Sequence, residues 1–228
     1  MKILGHRGIP VLYKENTLQS LLTPFSFGAD GIETDVRLTK DGVPVLIHDE
    51  TLTNFCGTDV RVRDLTLAEL REYKSDGETV PTLEEFLKFA PKNRCLNIEI
   101  KEYEAGELSV LICRKFYEGE IIFSSFNHHL INELKEKYKG LKFGYLFDEQ
   151  HTSMSDEEIF ALFDKNTYSA HLPVVGLLYF PERLLNIIKE LKRREIKIVL
   201  WTVNDKNDIA RISKYVDYVI TDDVRIFL

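Results

Sequence analysis

Short runs of apolar or alternating residues recur along the chain, and segments of helical period separate most of them. A period of two marks a strand, and apolar spacing near 3.6 marks a helix. On that pattern, strands are expected over 2–7, 31–38, 43–49, 95–101, 121–126, 142–147, 168–172, 197–203 and 218–221. Helices are expected over 17–27, 83–89, 106–117, 129–138, 156–165, 182–195 and 206–214. Pro81-Thr82 ahead of Glu84-Glu85, and Ser155 ahead of Asp156-Glu157-Glu158, carry the chemistry of helix starts. Asn204 or Asp205 can cap the segment after Trp201.

Strand–helix alternation predicts a parallel sheet covered by helices. Nine strand segments are one more than an eight-stranded barrel needs. Lys40-Asp41-Gly42 lies between two alternating runs, and Asp-Gly is a hairpin signal. The run 43–49 is therefore expected to fold back antiparallel on 31–38, and the other eight strands to close a (β/α)₈ barrel. An open doubly wound sheet is the alternative, but no Gly-rich nucleotide fingerprint accompanies it. Residues 50–81 hold no clear core element and are rich in Thr, Asp and Arg. Such a stretch inside a compact domain is usually functional, and it is expected as a small insertion over the barrel mouth. The sequence stops at Leu228, soon after Thr221, so the last barrel helix is expected to be vestigial. No linker is visible, and residues 1–228 are expected to form one domain.

Composition narrows the partners. Acids outnumber bases 37 to 30, a net charge of −7, which argues against a broad face for nucleic acid. Cys56, Cys95 and Cys113 show no metal-ligand spacing and are expected as free, buried thiols. There is no apolar run of about 18 residues, and the N-terminus lacks a signal-peptide core. A cytoplasmic protein without integral membrane association is the expectation. The apolar tail Val224, Ile226, Phe227 and Leu228 leaves open a homodimer or docking onto the same chain.

Charged residues stand on strands where a core would take Val or Ile. Glu33 and Asp35 share one side of the second strand, as do Glu99 and Lys101 on 95–101. A charge pointing into a barrel is costly unless it is paired or ligated. Three converging carboxylates therefore suggest one hard divalent cation, Mg²⁺ or Ca²⁺. A hairpin centred on Lys40–Asp41 sets Glu33 opposite His48 within a residue, and His6-Arg7 closes the neighbouring first strand. Active sites of such barrels form at the C-terminal strand ends. Two histidines can share acid and base roles near neutral pH. Arg7 and Lys101 can hold a phosphate. The set points to cation-assisted cleavage of a phosphate ester.

These residues, in this order, resemble the glycerophosphodiester phosphodiesterase family. The motifs are His6-Arg7-Gly8, Glu15-Asn16-Thr17, Gly28-Ala29-Asp30-Gly31-Ile32-Glu33-Thr34-Asp35-Val36, and Thr39 through His48-Asp49. Pro81-Thr82-Leu83-Glu84-Glu85, Asn97-Ile98-Glu99-Ile100-Lys101, Ser125-Phe126, Trp201-Thr202-Val203-Asn204 and Ile220-Thr221-Asp222 follow. The resemblance implies a (β/α)₈ barrel that hydrolyses glycerophosphodiesters to glycerol 3-phosphate and an alcohol. It implies a cation on Glu33, Asp35 and Glu99, an acid–base pair of His6 and His48, and phosphate contacts from Arg7 and Lys101. It also implies an apolar glycerol wall of Phe126 and Trp201, and a glycerol hydroxyl as internal nucleophile that gives a cyclic phosphate. Three departures stand out. Lys14 replaces a common Pro, Leu52-Thr53-Asn54-Phe55-Cys56 lacks an expected Arg, and Asp223-Val224 lacks a Pro. A related phospholipase-type barrel acting on lysophospholipids or phosphoinositides is the alternative; it would need an apolar rim, against which the polar Asp59, Arg61, Arg63 and Asp64 count. A silent anion-binding barrel would have lost a histidine or carboxylate.

Overall fold

The computed structural model describes residues 1–228. Nine strands form: β1 (Lys2–Gly5), β2 (Gly31–Leu38), β3 (Pro44–Leu46), β4 (Cys95–Ile100), β5 (Glu120–Ser125), β6 (Lys142–Leu146), β7 (Ser169–Pro173), β8 (Lys197–Trp201) and β9 (Tyr218–Thr221). All except β3 run parallel, and β1 pairs with both β2 and β9, so the eight close into a barrel. The open-sheet alternative is thereby set aside. Nine helices follow the same chain: α1 (Leu18–Ser26), α2 (Thr53–Cys56), α3 (Leu67–Leu70), α4 (Leu83–Phe89), α5 (Ala105–Phe116), α6 (His128–Lys137), α7 (Asp156–Ala161), α8 (Gly176–Tyr179) and α9 (Pro181–Arg193). The longer ones bury one apolar stripe on the outside of the barrel, as Leu184, Ile187, Ile188 and Leu191 do for α9. Thr82 and Glu85 complete a capping box at the start of α4 (3.1 and 2.9 Å). After β9 only a 3₁₀ turn, Val224–Ile226, remains of the eighth helix.

Three local expectations need correction. The hairpin is tighter in strand and longer in turn than expected. Leu38 pairs with Pro44, because three residues, Lys40-Asp41-Gly42, make the turn, and the register so set places Glu33 one residue from His48. Gly42 takes φ 76°, which a side chain would resist. The segment 206–214 is two 3₁₀ turns, Lys206–Ile209 and Ser213–Tyr215, not a helix. Ile209 and Ile212 are its only buried residues, too little apolar contact to sustain an α-helix of that length. Residues 50–81 do contain a core. Leu52, Phe55, Val62, Leu70 and Val80 pack with Val45 and Ile47 into a separate cluster. Cys95 and Cys113 are buried as free thiols, whereas Cys56 is half-buried. No helix is long and apolar enough to cross a membrane.

The end of the barrel away from the C-terminal strand ends is closed by an ionic knot. Glu120 accepts hydrogen bonds from Lys142 (2.6 Å), Tyr218 Oη (2.9 Å) and Lys2. Burial works against its charge, but these donors outweigh it and hold the carboxyl at about 2. A carboxyl lowered by folding stabilises above the ordinary glutamate range, about 4.3, and loses that contribution as pH falls toward its folded value. Its lysine partners reach solvent, which screens the pairs, so Glu120→Gln is expected to cost no more than about 2 kcal/mol at pH 7. In thermal melts the gap between wild type and variant should close as pH falls from about 5 to about 2. A gap that persists unchanged at the acid end would refute the ionic origin.

Candidate active site

The C-terminal ends of β1, β2 and β4 deliver the charged groups. Gly5 pairs with Ile32, and Asp35 pairs with Glu99, so the functional side chains of three neighbouring strands meet at one level. Carboxylate oxygens of Glu33, Asp35 and Glu99 lie within 4.8 Å of one another, and all three residues are buried. Arg7 takes φ 50°, and its backbone N–H donates to Glu33 Oε2 (3.0 Å). Its guanidinium grips Glu15 through both carboxylate oxygens (3.0 Å each), and Nε stands 3.3 Å from Asp35 Oδ2. Lys101 Nζ bonds Glu99 Oε1 (2.5 Å) and lies 3.6 Å from Asp35 Oδ1. Asn16, also at positive φ, donates to Asp35 Oδ2 (2.9 Å) and accepts from Thr34 Oγ1 (2.6 Å).

Burial and the neighbouring charges split the carboxylates. Burial, then Asp35 and Glu99, push the Glu33 carboxyl well above its usual range. Burial and Asp35 likewise raise Glu99, although Lys101 opposes them. Asp35 is lowered: burial acts against its charge, but Lys101 and Arg7 outweigh it. Asp35 Oδ1 has no hydrogen-bond partner although it is buried. An all-oxygen cluster with an unpartnered buried oxygen and too little positive charge fits a hard divalent cation.

The two histidines are each backed by a carboxylate. His6 Nδ1 lies 2.7 Å from Asp222 Oδ1, and Asp222 is steadied by Asn204 through Oδ2 (2.6 Å) and its backbone N–H (3.0 Å). His48 Nδ1 lies 2.7 Å from Asp49 Oδ1, which Asn54 supports through Oδ2. Burial opposes charge on both aspartates, but the imidazole and amide hydrogen bonds prevail and lower their carboxyls. A carboxylate on Nδ1 sets the tautomer and leaves Nε2 for proton transfer.

His6, Arg7, Glu33, His48, Glu99, Lys101, Phe126 and Trp201 line one cavity of about 110 Å³, with Asp35 buried behind them. The structure thus brings all nine expected site residues together. Phe126 and Trp201 meet edge-to-face at 5.9 Å, and Lys101 Nζ sits 5.6 Å from the Phe126 ring centre. A second, polar groove of about 450 Å³ shares Arg7 and His48 with this cavity. Its outer wall is the 50–81 segment, through Thr51, Asn54 and Phe55, so that segment flanks the mouth instead of covering it.

A model of the glycerophosphoryl diester phosphodiesterase family matches residues 6–226. The chain belongs to this family. A glycerophosphodiester phosphodiesterase of Caldanaerobacter subterraneus subsp. tengcongensis is 35% identical over 246 residues, spanning 97% of this chain and 93% of the relative. The solved glycerophosphodiester phosphodiesterase of Thermotoga maritima superposes with a TM-score of 0.88 at 38% identity, covering 100% of this chain and 96% of that one. A phosphodiesterase of Oleispira antarctica, solved in complex with the product sn-glycerol-3-phosphate, superposes at 0.83 with 26% identity over 99% and 95% of the two chains.

Several groups that shape this phosphodiesterase's site escaped the motif reading. Asp49 and Asp222 orient the histidines, Asn16 and Glu15 hold Asp35 and Arg7, and Asn97 lines the cavity beside Glu33. Each lies inside a recognised motif, but its partner becomes evident only when the barrel closes, as with His6 and Asp222, 216 residues apart.

Proposed function

We propose that residues 1–228 act as one catalytic domain that hydrolyses glycerophosphodiesters to glycerol 3-phosphate and an alcohol. The observation that carries this reading is one cavity shared by two carboxylate-backed imidazoles, an acidic triad and two cationic side chains. Glu33, Asp35 and Glu99 would hold one divalent cation, Mg²⁺ or Ca²⁺. When bound, such an ion polarises a phosphoryl oxygen and offsets developing charge. Lys101 and the free edge of the Arg7 guanidinium would orient the phosphate, and Phe126 and Trp201 would face the glycerol carbons.

Of the two histidines only His48 lines both the cavity and the polar groove, which assigns it to the departing alcohol. His6 Nε2 then takes the proton of the glycerol 2-hydroxyl as its oxygen bonds to phosphorus. The bond from phosphorus to the alcohol oxygen breaks, and His48 supplies that oxygen with a proton. In the second half, water loses a proton to His48 and bonds to phosphorus. The ring bond to the 2-oxygen opens, and His6 returns the proton there. Purified protein given glycerophosphocholine and glycerophosphoethanolamine should release glycerol 3-phosphate with Mg²⁺ or Ca²⁺ and stop with EDTA. No cation-dependent product from either substrate would overturn the reading.

A further inference from the structure

The two imidazoles reach the cavity on different supports. His6 directly follows β1, and its backbone N–H donates to the Thr221 carbonyl of β9 (2.8 Å), so the barrel itself holds it. His48 has no such hold. It lies beyond Leu46, the last residue of β3, and its main chain takes part in no backbone–backbone hydrogen bond. Its carboxylate partner Asp49 and the supporting Asn54 belong to the same connection after β3. They aim the ring without tying His48 to a barrel strand.

One side chain makes that tie. Arg37 stands on β2, and its Nε donates to the His48 carbonyl (2.8 Å). Arg37 follows Glu33 and Asp35 along one face of the strand, yet it lines neither the cavity nor the polar groove. It is only 8% exposed. A buried guanidinium is costly unless it is paired and hydrogen-bonded. Glu102 supplies the pair: Oε1 accepts from Arg37 (3.1 Å) and Oε2 from the Leu38 N–H (3.2 Å). Glu102 directly follows Lys101, whose own N–H donates to the Val36 carbonyl (3.1 Å). A single ionic clamp thus joins the His48 main chain, the outer end of β2 and the chain at Lys101.

We propose that Arg37 is a positioning residue for His48, braced by Glu102, and that it holds the imidazole where Nε2 meets the departing alcohol. The proposal rests on the assignment of His48 given above. Arg37 touches no substrate atom and exchanges no proton. It sets the place from which His48 protonates the alcohol oxygen as the bond to phosphorus breaks, and from which it later takes a proton from water. A misplacement of about 1 Å can cost roughly 10²-fold in rate. Loss of the clamp should therefore slow the steps that need a proton moved by His48 and spare attack by the 2-hydroxyl, which His6 assists.

Arg37→Lys tests this directly. Lysine keeps a cation for Glu102 but puts a methylene in place of Nε, so the ion pair stays and the bond to His48 goes. The variant should melt close to wild type. Its kcat on glycerophosphocholine should fall by about 10- to 100-fold, with KM nearly unchanged. On a glycerophosphodiester with an acidic phenol as leaving group, phenol release in the first turnover should match wild type. On the cyclic glycerol phosphate supplied directly, the loss should return, because water gives its proton to His48. In a His48→Ala background Arg37→Lys should cost nothing further, since the two act as a unit. Should Arg37→Lys fail to fold, Glu102→Gln carries the same comparison with a smaller loss. Equal slowing on all three substrates, or an added loss in the His48→Ala background, overturns the proposal, because a general loosening of the barrel does the same. Imidazole NMR signals give a readout without turnover. The His48 signal, identified by its absence in His48→Ala, should shift or broaden in Arg37→Lys while the His6 signal stays. That result supports the positioning role even if glycerophosphocholine proves not to be hydrolysed, and a His48 signal identical to wild type overturns it.

Discussion

His6→Ala and His48→Ala should each lower kcat on glycerophosphocholine by roughly 10²–10⁴-fold, the range typical of a general acid or base. The two losses should respond differently to the leaving group. In the structure His48 borders the groove assigned to the alcohol and His6 does not. A glycerophosphodiester whose leaving group is an acidic phenol needs no proton at departure. Its hydrolysis by His48→Ala should recover most of the lost rate of the first half-reaction, whereas His6→Ala should stay slow because the 2-hydroxyl still needs a base. Asp222→Asn and Asp49→Asn test the same pair from behind, since each amide would disturb the tautomer that its carboxylate sets. Wild-type rates in both histidine variants would remove them from the chemistry. Equal rescue of both by the phenol would exchange or merge their roles.

What the sequence made legible here follows the range over which each signal acts. The barrel strands carry period-two or continuous apolar runs, and Asp-Gly marks the hairpin, so fold and topology follow from local pattern. Register depends on one turn residue: the three-residue turn at Lys40-Asp41-Gly42 shifts Glu33 one place from His48. The small core of residues 50–81 is assembled from Leu52, Phe55, Val62, Leu70 and Val80, whose spacing follows neither a helix nor a strand. It gains order only by packing on Val45 and Ile47. The charged and imidazole members of the site were visible because such groups on barrel strands are anomalous, whereas Phe126 and Trp201 followed only from the family resemblance. Arg7 shows what that argument misses. Its phosphate-binding assignment is chemically sound, yet the fold also commits its backbone to Glu33 and its guanidinium to Glu15.

The acidic triad should make the cation-free protein less stable than a neutralised variant, and Glu33→Gln separates that effect from catalysis. Glu33 is buried beside Asp35 and Glu99, which together raise its carboxyl well above the usual range. A carboxyl raised by folding contributes fully below its unfolded value, about 4.3, and that contribution is lost as pH rises through the folded value. In EDTA the wild type should therefore lose stability as pH climbs above the ordinary glutamate range, about 4.3, and Glu33→Gln should not share that slope. A divalent cation that binds only the folded state at 100 times its Kd adds about 2.7 kcal/mol, or roughly 5–10 °C in Tm for a domain of this size. The wild type should show that rise with Mg²⁺ or Ca²⁺ at pH 7. Glu33→Gln should melt higher than wild type in EDTA, gain little from either ion, and hydrolyse glycerophosphocholine at least about 10²-fold more slowly. The opposing directions matter, because a merely structural glutamate would lower Tm on substitution and leave the cation response intact. An unchanged cation-induced rise in Glu33→Gln would place the ion elsewhere, and the three carboxylates would then need another reason to share one buried site.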